Sequence, residues 1–263
     1  MQILMNNSTT GRHQFALYIE SLHDIVHNTN KKGLLHIDDE QLAHRIVHIL
    51  RLGINDTCIL FDQFYQAQAS LVGVVKKKIL SFTIQPVAQN TQLKPDISIL
   101  LPLLKRDALE DTVYGLTEVG VNTIQLVITQ KVHRTWGGAK EHERLQRVII
   151  SAAEQSKNFS FPTLIEPIQY LNALQQCATD EKFFFDHAGN PTAYLCAKLL
   201  NKTTASDSIA ILIGPEGDLT AQEKITAQKH GFEAYMLTPT ILRSTQAASL
   251  AAGIIRSIMC VKQ

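Results

Sequence analysis

From about residue 95 onward, uninterrupted apolar runs alternate along the chain with amphipathic stretches. Runs that are apolar at successive positions are typical of strands buried on both faces of a parallel sheet. The stretches between them repeat their apolar residues with the roughly 3.6-residue period of helices, the elements that connect one parallel strand to the next. The alternation therefore predicts an α/β domain whose parallel sheet is covered by helices on both faces.

The elements of this domain follow from the same pattern. We predict strands at 97–104, 123–129, 182–185, 208–213 and 233–237, and helices at 107–120, 140–156, 191–201, 221–230 and 245–260. Gly120 stands at the end of the first helix, a common place for glycine. Thr220 and Glu223 have the spacing of a capping box, which supports a helix start at about residue 221.

The chain before residue 90 has a different rhythm. Short β-type runs at 57–61, 69–75 and 79–87 are separated by polar or glycine-containing breaks. This pattern predicts a small antiparallel sheet or barrel. A polar segment that ends in proline then separates these runs from the α/β pattern, so we place the domain boundary there. This gives a head domain at 1–90 and the α/β domain at 95–263.

One helix is predicted inside the head domain. It starts after Asp39, with acidic residues near its amino end, where negative charge favours a helix. Its apolar stripe consists of Leu42, Ile46, Val47 and Leu50. Their spacing places them on one helical face.

Composition excludes several classes of protein. The chain has 263 residues, 45% of them hydrophobic and 19% charged, which excludes intrinsic disorder. No apolar run approaches the roughly 18 residues of a membrane span, so no membrane association is expected. Residues 1–8 show no signal-peptide pattern and the four cysteines are far apart, so we expect a reducing, cytoplasmic location.

A metal site is not expected either. The histidines at 44 and 48 form only one helical pair, and neither an H-E-x-x-H motif nor a Cys/His grouping is present.

Basic residues in the head domain allow two interpretations. Net charge is close to zero, with 25 Lys plus Arg against 24 Asp plus Glu, so charge alone identifies no partner. A phosphate-facing patch would consist of Arg45, Arg51, Lys76, Lys77 and Lys78. Such cations gain affinity for nucleic acid by releasing condensed counterions. The alternative is an ordinary solvated face.

The segment from Ile211 to Asp218 is the most informative part of the sequence. A buried strand leads into Gly-Pro-Glu-Gly, and a capped helix follows. The loop therefore lies at a strand's carboxyl end, where open α/β sheets bind ligands. Gly214 and Gly217 allow a ligand to approach the backbone, although the same residues also suit an ordinary tight turn.

A second loop of this kind runs from Leu237 to Thr245, again between a strand and a helix. Arg243 lies near the amino end of that helix, where its charge opposes the helix dipole. A functional role is one explanation; a surface arginine or a pair with Glu216 is another. Ile241 and Leu242 are expected to anchor the loop in the core.

A third group of residues follows the second predicted strand of the α/β domain. Lys131, Arg134 and Trp136 lie in one loop, and Arg144 and Arg147 lie on the helix after it. These side chains suit RNA backbone contacts and base stacking. Burial of the tryptophan in the core or at a dimer contact is the competing interpretation.

Taken in order, several segments resemble one family, the SPOUT-class 16S ribosomal RNA uridine-N3 methyltransferases. The matching residues are Ala43–Leu52, Asp56, Leu60–Asp62, Lys105–Asp107, Glu110, Thr117–Val121, Ala153–Ser156, Ile213–Gly217 and Ile241–Arg243. Each motif is weak alone, but the ordered set is specific and covers nearly the whole chain after residue 40.

The resemblance implies a small PUA-like β-barrel followed by a SPOUT α/β domain with a C-terminal trefoil knot. It also implies a homodimer that binds S-adenosylmethionine and acts on ribosomal RNA. Small residues of the last helix, Ala247, Ala248, Ala251, Ala252 and Gly253, would then permit close packing between subunits or against the sheet.

The resemblance also assigns residues to the site. The cofactor loops contain Ile213, Gly214, Gly217, Leu237, Thr238, Ile241 and Leu242. Arg243 is the candidate to lie beside the uracil or its phosphate, and Glu216 to orient a loop amide or accept a proton. RNA binding is assigned to the five head-domain cations.

The sequence departs from the family pattern at several positions. Asp218 and Thr238 each replace a usual glycine, Thr240 an arginine and Thr245 a glutamate, and Ala108 alters a Lys-Gly-Asp-Arg pattern. Two other functions therefore stay open: a non-catalytic RNA-binding relative, and a SPOUT methyltransferase that acts on another RNA such as transfer RNA.

Overall fold

The computed structural model describes residues 14–29, 34–201 and 207–260. Contacts divide the chain into two units, residues 1–89 and residues 90–263. The division falls between Gln89 and Asn90, in the polar segment where the sequence pattern changes.

The first unit is built around one mixed sheet. Its elements are β1 (Phe15–Tyr18), α1 (Leu22–Thr29), β2 (Leu34–Asp38), α2 (Glu40–His44), β3 (Thr57–Phe61), β4 (Tyr65–Val75), β5 (Ile79–Ile84) and β6 (Ala88–Gln89). The strand order is β1-β3-β4-β5-β2, with β6 paired to β4. All pairs are antiparallel except β1 with β3.

Among the described residues this first sheet is open, since its pairings end at β1 and at β2 and no closed barrel forms. The predicted helix begins where expected, because the Asp39 side chain accepts a hydrogen bond from the Leu42 amide at 2.9 Å. It continues past α2 as a π-helical stretch, Arg45–Ile49. Leu42 and Ile46 are buried in the unit's apolar core, as the periodicity predicts.

The second unit alternates strands and helices. Its elements are β7 (Asp96–Pro102), α3 (Arg106–Val119), β8 (Thr123–Ile128), α4 (Ala139–Ser156), β9 (Thr163–Gln169), α5 (Tyr170–Gln176), β10 (Glu181–Pro191), α6 (Thr192–Asn201), β11 (Ser208–Leu212), α7 (Ala221–Lys229), β12 (Glu233–Met236) and α8 (Ser244–Cys260). None of these helices, nor those of the first unit, is long and apolar enough to cross a membrane within the described ranges.

The six strands of the second unit form a parallel sheet, which confirms the prediction from the apolar runs. Their order is β12-β10-β11-β7-β8-β9. The chain first builds outward from β7 to β9 and then crosses back to place β10 and β11 on the other side of β7. Such a reversal of direction creates a crevice at the carboxyl ends of the strands.

Two elements of this unit, β9 and α5, were not predicted from the sequence. Strand β9 contains Glu166 and Pro167, which break an apolar run, and most of its side chains are at least partly exposed. It is an edge strand, where proline and polar residues are tolerated because one side has no partner strand. The short α5 follows it without a capping side chain. Position at the sheet edge therefore explains the missing signal for β9, and the absence of a capping side chain that for α5.

Strand β10 extends beyond its predicted end and carries a bulge between Phe185 and Asn190, opposite β12. Gly189 lies in this bulge against the backbone of Tyr235. A Cβ at residue 189 would lie 2.6 Å from the Tyr235 carbonyl carbon and 2.7 Å from its amide nitrogen. Glycine is required there because the facing atoms belong to a strand and cannot rotate away.

We expect Gly189→Ala to separate β10 from β12 and to lower the free energy of unfolding by about 2–3 kcal/mol, the upper range for overpacking. Urea unfolding measures this. Gly73→Ala in β4 is the control, since its Cβ would meet only the Ser81 Cβ at 3.9 Å, an ordinary contact. Equal effects of the two substitutions would contradict the packing argument.

Candidate functional site

A cavity of about 990 Å³ opens at the carboxyl ends of β10, β11 and β12. Its size lies in the roughly 300–1,000 Å³ range of small-molecule sites. The lining comes mainly from 213–216, 236–238 and 240–247, with 104–105, 185–187 and a few further side chains. Both loops singled out in the sequence thus border the same cavity, although the first ends at Asp218 and the second begins only at Leu237.

The first loop leaves β11 and turns at Glu216 and Gly217. The amide of Ile213 donates to the Leu100 carbonyl at 3.1 Å, which continues the strand pairing, and Asp218 N donates to the Pro215 carbonyl at 2.9 Å. Asp218 has a φ of +62°, in the left-handed region that favours glycine. Gly214 borders the cavity, whereas Gly217 is outside its lining and faces Lys131.

The second loop is tied to the first by one buried side chain. The hydroxyl of Ser244, at the start of α8, donates to the Gly214 carbonyl at 2.7 Å. Within the loop, the Thr238 hydroxyl donates to the Thr240 carbonyl at 2.7 Å. Leu237 and Thr238 contribute to the cavity wall.

The expected anchoring of this loop by Ile241 is wrong. Ile241 is 90% exposed, and Leu242 is only half-buried. Both nevertheless line the cavity. The loop is held instead by the Ser244 hydrogen bond, so the apolar side chain of Ile241 is left at the cavity mouth.

The two candidate catalytic side chains both border the cavity. Arg243 is exposed and forms no ion pair with any acidic residue in the described part of the chain, Glu216 included. Glu216 is also exposed, and its Oε1 accepts a long, 3.4 Å hydrogen bond from the Lys105 amide. The guanidinium and the carboxylate are therefore both able to meet a ligand.

Sequence reasoning missed a cluster at the cavity wall, which we call the lysine bridge. The ammonium of Lys224, on α7, forms ion pairs with Asp186 of β10 and with Asp218. Burial alone would raise the pKa of Asp186, but hydrogen bonds from Lys224 and from the Ala188 amide lower it below its ordinary value. Burial would lower the pKa of Lys224, yet the two carboxylates raise it. Both groups are therefore charged near neutral pH.

The loop after β8 braces the cavity from outside. Lys131 Nζ donates to the Gly217 carbonyl at 2.6 Å, and Arg134 donates to the carbonyl of Leu104 and pairs with Glu141 at 2.8 Å. Burial acts to raise the pKa of Glu141, but hydrogen bonds from Arg134 and from a backbone amide lower it overall. Lys131 and Arg134 thus have partners within the fold, and the RNA-contact interpretation for this loop stays a prediction.

Trp136 of the same loop is half-buried, and its ring nitrogen is buried without a hydrogen-bond partner among the residues that the structure describes. Arg144, on the helix that follows, pairs with Glu110 at 2.7 Å.

In the first unit, the candidate RNA-binding cations differ in their surroundings. Lys76 and Lys77 form the exposed turn between β4 and β5, with φ values of +52° and +60°. Arg51 is exposed as well, with φ +54°. Arg45 is half-buried, and Lys78 pairs with Asp38 at 3.1 Å. The hairpin tip and Arg51 are thus the most accessible members of the set.

Within residues 14–29, 34–201 and 207–260, no group of three or more His, Cys, Asp or Glu side chains is arranged to hold a metal ion. His44 and His48 lie side by side, with ring centroids 4.9 Å apart.

Curated relatives resemble the chain over most of its length. Ribosomal RNA small subunit methyltransferase E of Mesomycoplasma hyopneumoniae is 27% identical over 198 residues, which are 74% of this chain and 82% of that protein. The protein of the same name from Bacillus subtilis is 26% identical over 222 residues, 81% of this chain and 86% of its own.

Solved structures share the fold. Ribosomal RNA small subunit methyltransferase E of Neisseria gonorrhoeae, bound to S-adenosyl methionine, gives a TM-score of 0.76 at 25% identity and covers 93% of this chain and 98% of its own. A Legionella pneumophila protein in complex with the same cofactor gives 0.78 at 21% identity, with 94% and 98% covered.

A parallel sheet with two glycine- or proline-containing loops around one cavity at its carboxyl edge defines a ligand-binding α/β protein. The family model of the RNA methyltransferase domain matches residues 91–256, the greater part of the chain and nearly all of the second unit. The chain belongs to this RNA methyltransferase family.

Proposed function

We propose that this protein transfers a methyl group from S-adenosylmethionine to N3 of a uridine in small-subunit ribosomal RNA. The observation that carries the proposal is the convergence of the loops at 213–218 and 237–243 on one cavity in an RNA methyltransferase domain. The solved relative from Neisseria gonorrhoeae, named for small-subunit ribosomal RNA, was obtained with S-adenosyl methionine bound.

The residues around the cavity suit this cofactor. Gly214 leaves the backbone of the first loop accessible, and the lining combines apolar side chains such as Ile213 and Leu237 with polar groups. When bound, S-adenosylmethionine supplies a methyl group made electrophilic by the attached sulfonium. The assigned cofactor residues are then Ile213, Gly214, Gly217, Leu237, Thr238, Ile241 and Leu242, with Gly217 acting through the turn rather than by contact.

Methylation at N3 requires loss of the imide proton, which leaves negative charge on the uracil ring. A cation beside the ring stabilises that charge most when the surrounding groups are already fixed in place. The guanidinium of Arg243 is exposed at the cavity wall and has no ion-pair partner among the described residues, so it is available to supply this charge. Glu216 orients a loop amide or accepts the proton. Because N3 lies on the pairing edge, the target base must be unpaired or swung out of its helix.

We expect Arg243→Ala to lower methyl transfer to small-subunit RNA by on the order of a hundredfold, the effect of losing one charge-stabilising donor. The melting temperature should change little, because the side chain is exposed and has no ion-pair partner in the described chain. The assay follows transfer of labelled methyl groups, with the product identified by mass spectrometry of nucleosides. Lys229→Ala, which removes an exposed cation at the end of α7 outside the cavity lining, is the control.

The same assay separates the competing functions. N3-methyluridine in small-subunit RNA supports the proposal, whereas a product found only in transfer RNA indicates the alternative substrate. No binding of the cofactor by the intact protein would indicate a non-catalytic relative. Full activity of Arg243→Ala would remove Arg243 from the transfer step.

The first unit is proposed to be a PUA-like domain, with an open sheet among the described residues in place of a closed barrel. It is proposed to bind RNA through Arg45, Arg51, Lys76, Lys77 and Lys78. Its support is the mixed sheet and the exposed cationic turn between β4 and β5. The proposal gives residues 1–90 the role of holding the RNA around the target base, and residues 95–263 the role of transfer. A ribosomal RNA substrate fits the expected cytoplasmic location.

Replacing Lys76 and Lys77 together with glutamine should weaken RNA binding and reduce the slope of log affinity against log salt concentration by about one to two, the loss of two phosphate contacts. Lys140 and Lys229, both exposed in the second unit, form the charge-matched control when replaced in the same way. An unchanged salt slope in the first variant would place the RNA surface elsewhere.

The second unit is proposed to carry the trefoil knot and to form a homodimer through α8. Ala248, Ala251 and Ala252 are buried inside the unit, so they pack within one subunit. The face that stays outside forms a shallow apolar groove with Leu250, Gly253, Ile254 and Ile258. Tyr194, on the neighbouring α6, is 66% exposed.

We expect sedimentation at micromolar concentration to show a dimer, and Leu250→Glu to convert it to a monomer by placing charge in a buried apolar contact. Leu171→Glu on α5 should leave the dimer intact, since Leu171 is also exposed but lies on another helix. A monomeric wild-type protein would reject this interface.

A further inference from the structure

The lysine bridge joins two walls of the cavity. Lys224 Nζ lies 2.6 Å from Asp218 Oδ2, in the loop after β11, and also pairs with Asp186 Oδ2, on the bulged part of β10. Asp186 and Asp218 both line the cavity. One ammonium group therefore holds together two segments that are far apart in sequence.

Each carboxylate is also fixed by a backbone amide. Asp186 Oδ1 accepts from the Ala188 amide and Asp218 Oδ1 from the Leu219 amide, each at 2.7 Å. The side chains of Asp186 and Lys224 are 13% and 26% exposed. Shielding of this kind makes an ion pair stronger than one on an open surface. The Asp186 half of the bridge is consequently shielded from solvent, whereas the Asp218 side chain is 61% exposed and is oriented by its backbone hydrogen bond.

The backbone of Asp218 lies in the left-handed region. Its φ of +62° keeps the backbone conformation that glycine would adopt without strain. Aspartate is one of the few residues that tolerate this region. The loop thus carries a carboxylate at a position where glycine would be unstrained, and that carboxylate pairs with Lys224.

We infer that Lys224 is a positioning residue for the cofactor: by bridging Asp186 and Asp218 it sets the spacing between the β10 bulge and the loop after β11. The inference rests on the proposed function, in that it assigns the cavity to S-adenosylmethionine. It predicts that the bridge acts on cofactor affinity more than on the transfer step.

The chain contains a matched bridge away from the cavity. Lys198 pairs with Glu181 at 2.8 Å and with Glu233 at 2.5 Å. These two glutamates are the first residues of β10 and β12, at the ends of the strands opposite the cavity. Lys198→Met therefore removes a similar bridge from the same sheet without touching the cavity.

The experiment measures the Kd of S-adenosylmethionine by calorimetry and the steady-state KM and kcat with small-subunit RNA. We expect Lys224→Met to raise Kd and KM for the cofactor by about tenfold, by analogy with metal sites, where losing a group that only orients a ligand costs at least that much. The kcat at saturating cofactor should stay near the wild-type value. Lys224→Arg should restore affinity, since a guanidinium also bridges two carboxylates.

Asp218→Asn tests the bridge from its other end. Asparagine tolerates the left-handed backbone but carries no charge, so Kd should rise while the melting temperature holds. Wild-type cofactor affinity in Lys224→Met, or an equal loss in Lys198→Met, would overturn the inference and leave the proposed function intact. Absence of cofactor binding by the wild-type protein would instead reject the proposed function itself.

Discussion

The parallel pairing of β11 with β7 on one side and β10 on the other determines where everything else in the second unit lies. Ile211 pairs with Ile99 and with Phe183, so three strands from distant parts of the sequence end at one level. The backbone hydrogen bonds of this pairing are buried and have no substitute partners. The loops that follow these strands are consequently forced to one edge, and the cavity is their common border.

Polar contacts then fix the loops that the sheet has brought together. Ser244 links the start of α8 to the Gly214 carbonyl, and Lys224 links the first loop to β10. Neither contact would form if the strand order were different, because each joins segments that are not neighbours along the chain. The strand order thus brings the loops close together, and the hydrogen bond of Ser244 and the ion pairs of Lys224 then set the distances between them.

The sequence predicted the parallel sheet well, because a strand buried on both faces must be apolar throughout and this is visible in runs such as 208–213. It also placed the loops of Gly214 and Arg243 at strand ends, because glycine or proline follows an apolar run at both places. It did not reveal the lysine bridge, since Asp186 and Lys224 lie 38 positions apart and only the strand order makes them neighbours. The exposure of Ile241 was mispredicted because an apolar residue was assumed to be buried.

Residues with a positive φ occur in both regions to which function is assigned, the proposed RNA surface and the loop after β11. Among the described residues, seven residues other than glycine have a positive φ, and they include Arg51, Lys76, Lys77 and Asp218. A left-handed residue with a Cβ costs energy that glycine would avoid, so these positions favour glycine on stability grounds alone. The side chains of these four named residues are charged and exposed, and three of them belong to the proposed RNA surface. Strain retained at such positions is typical of functional sites. In both the turn between β4 and β5 and the loop after β11, a charged residue thus occupies a position where glycine would be more stable. The backbone there holds the charge at a defined place.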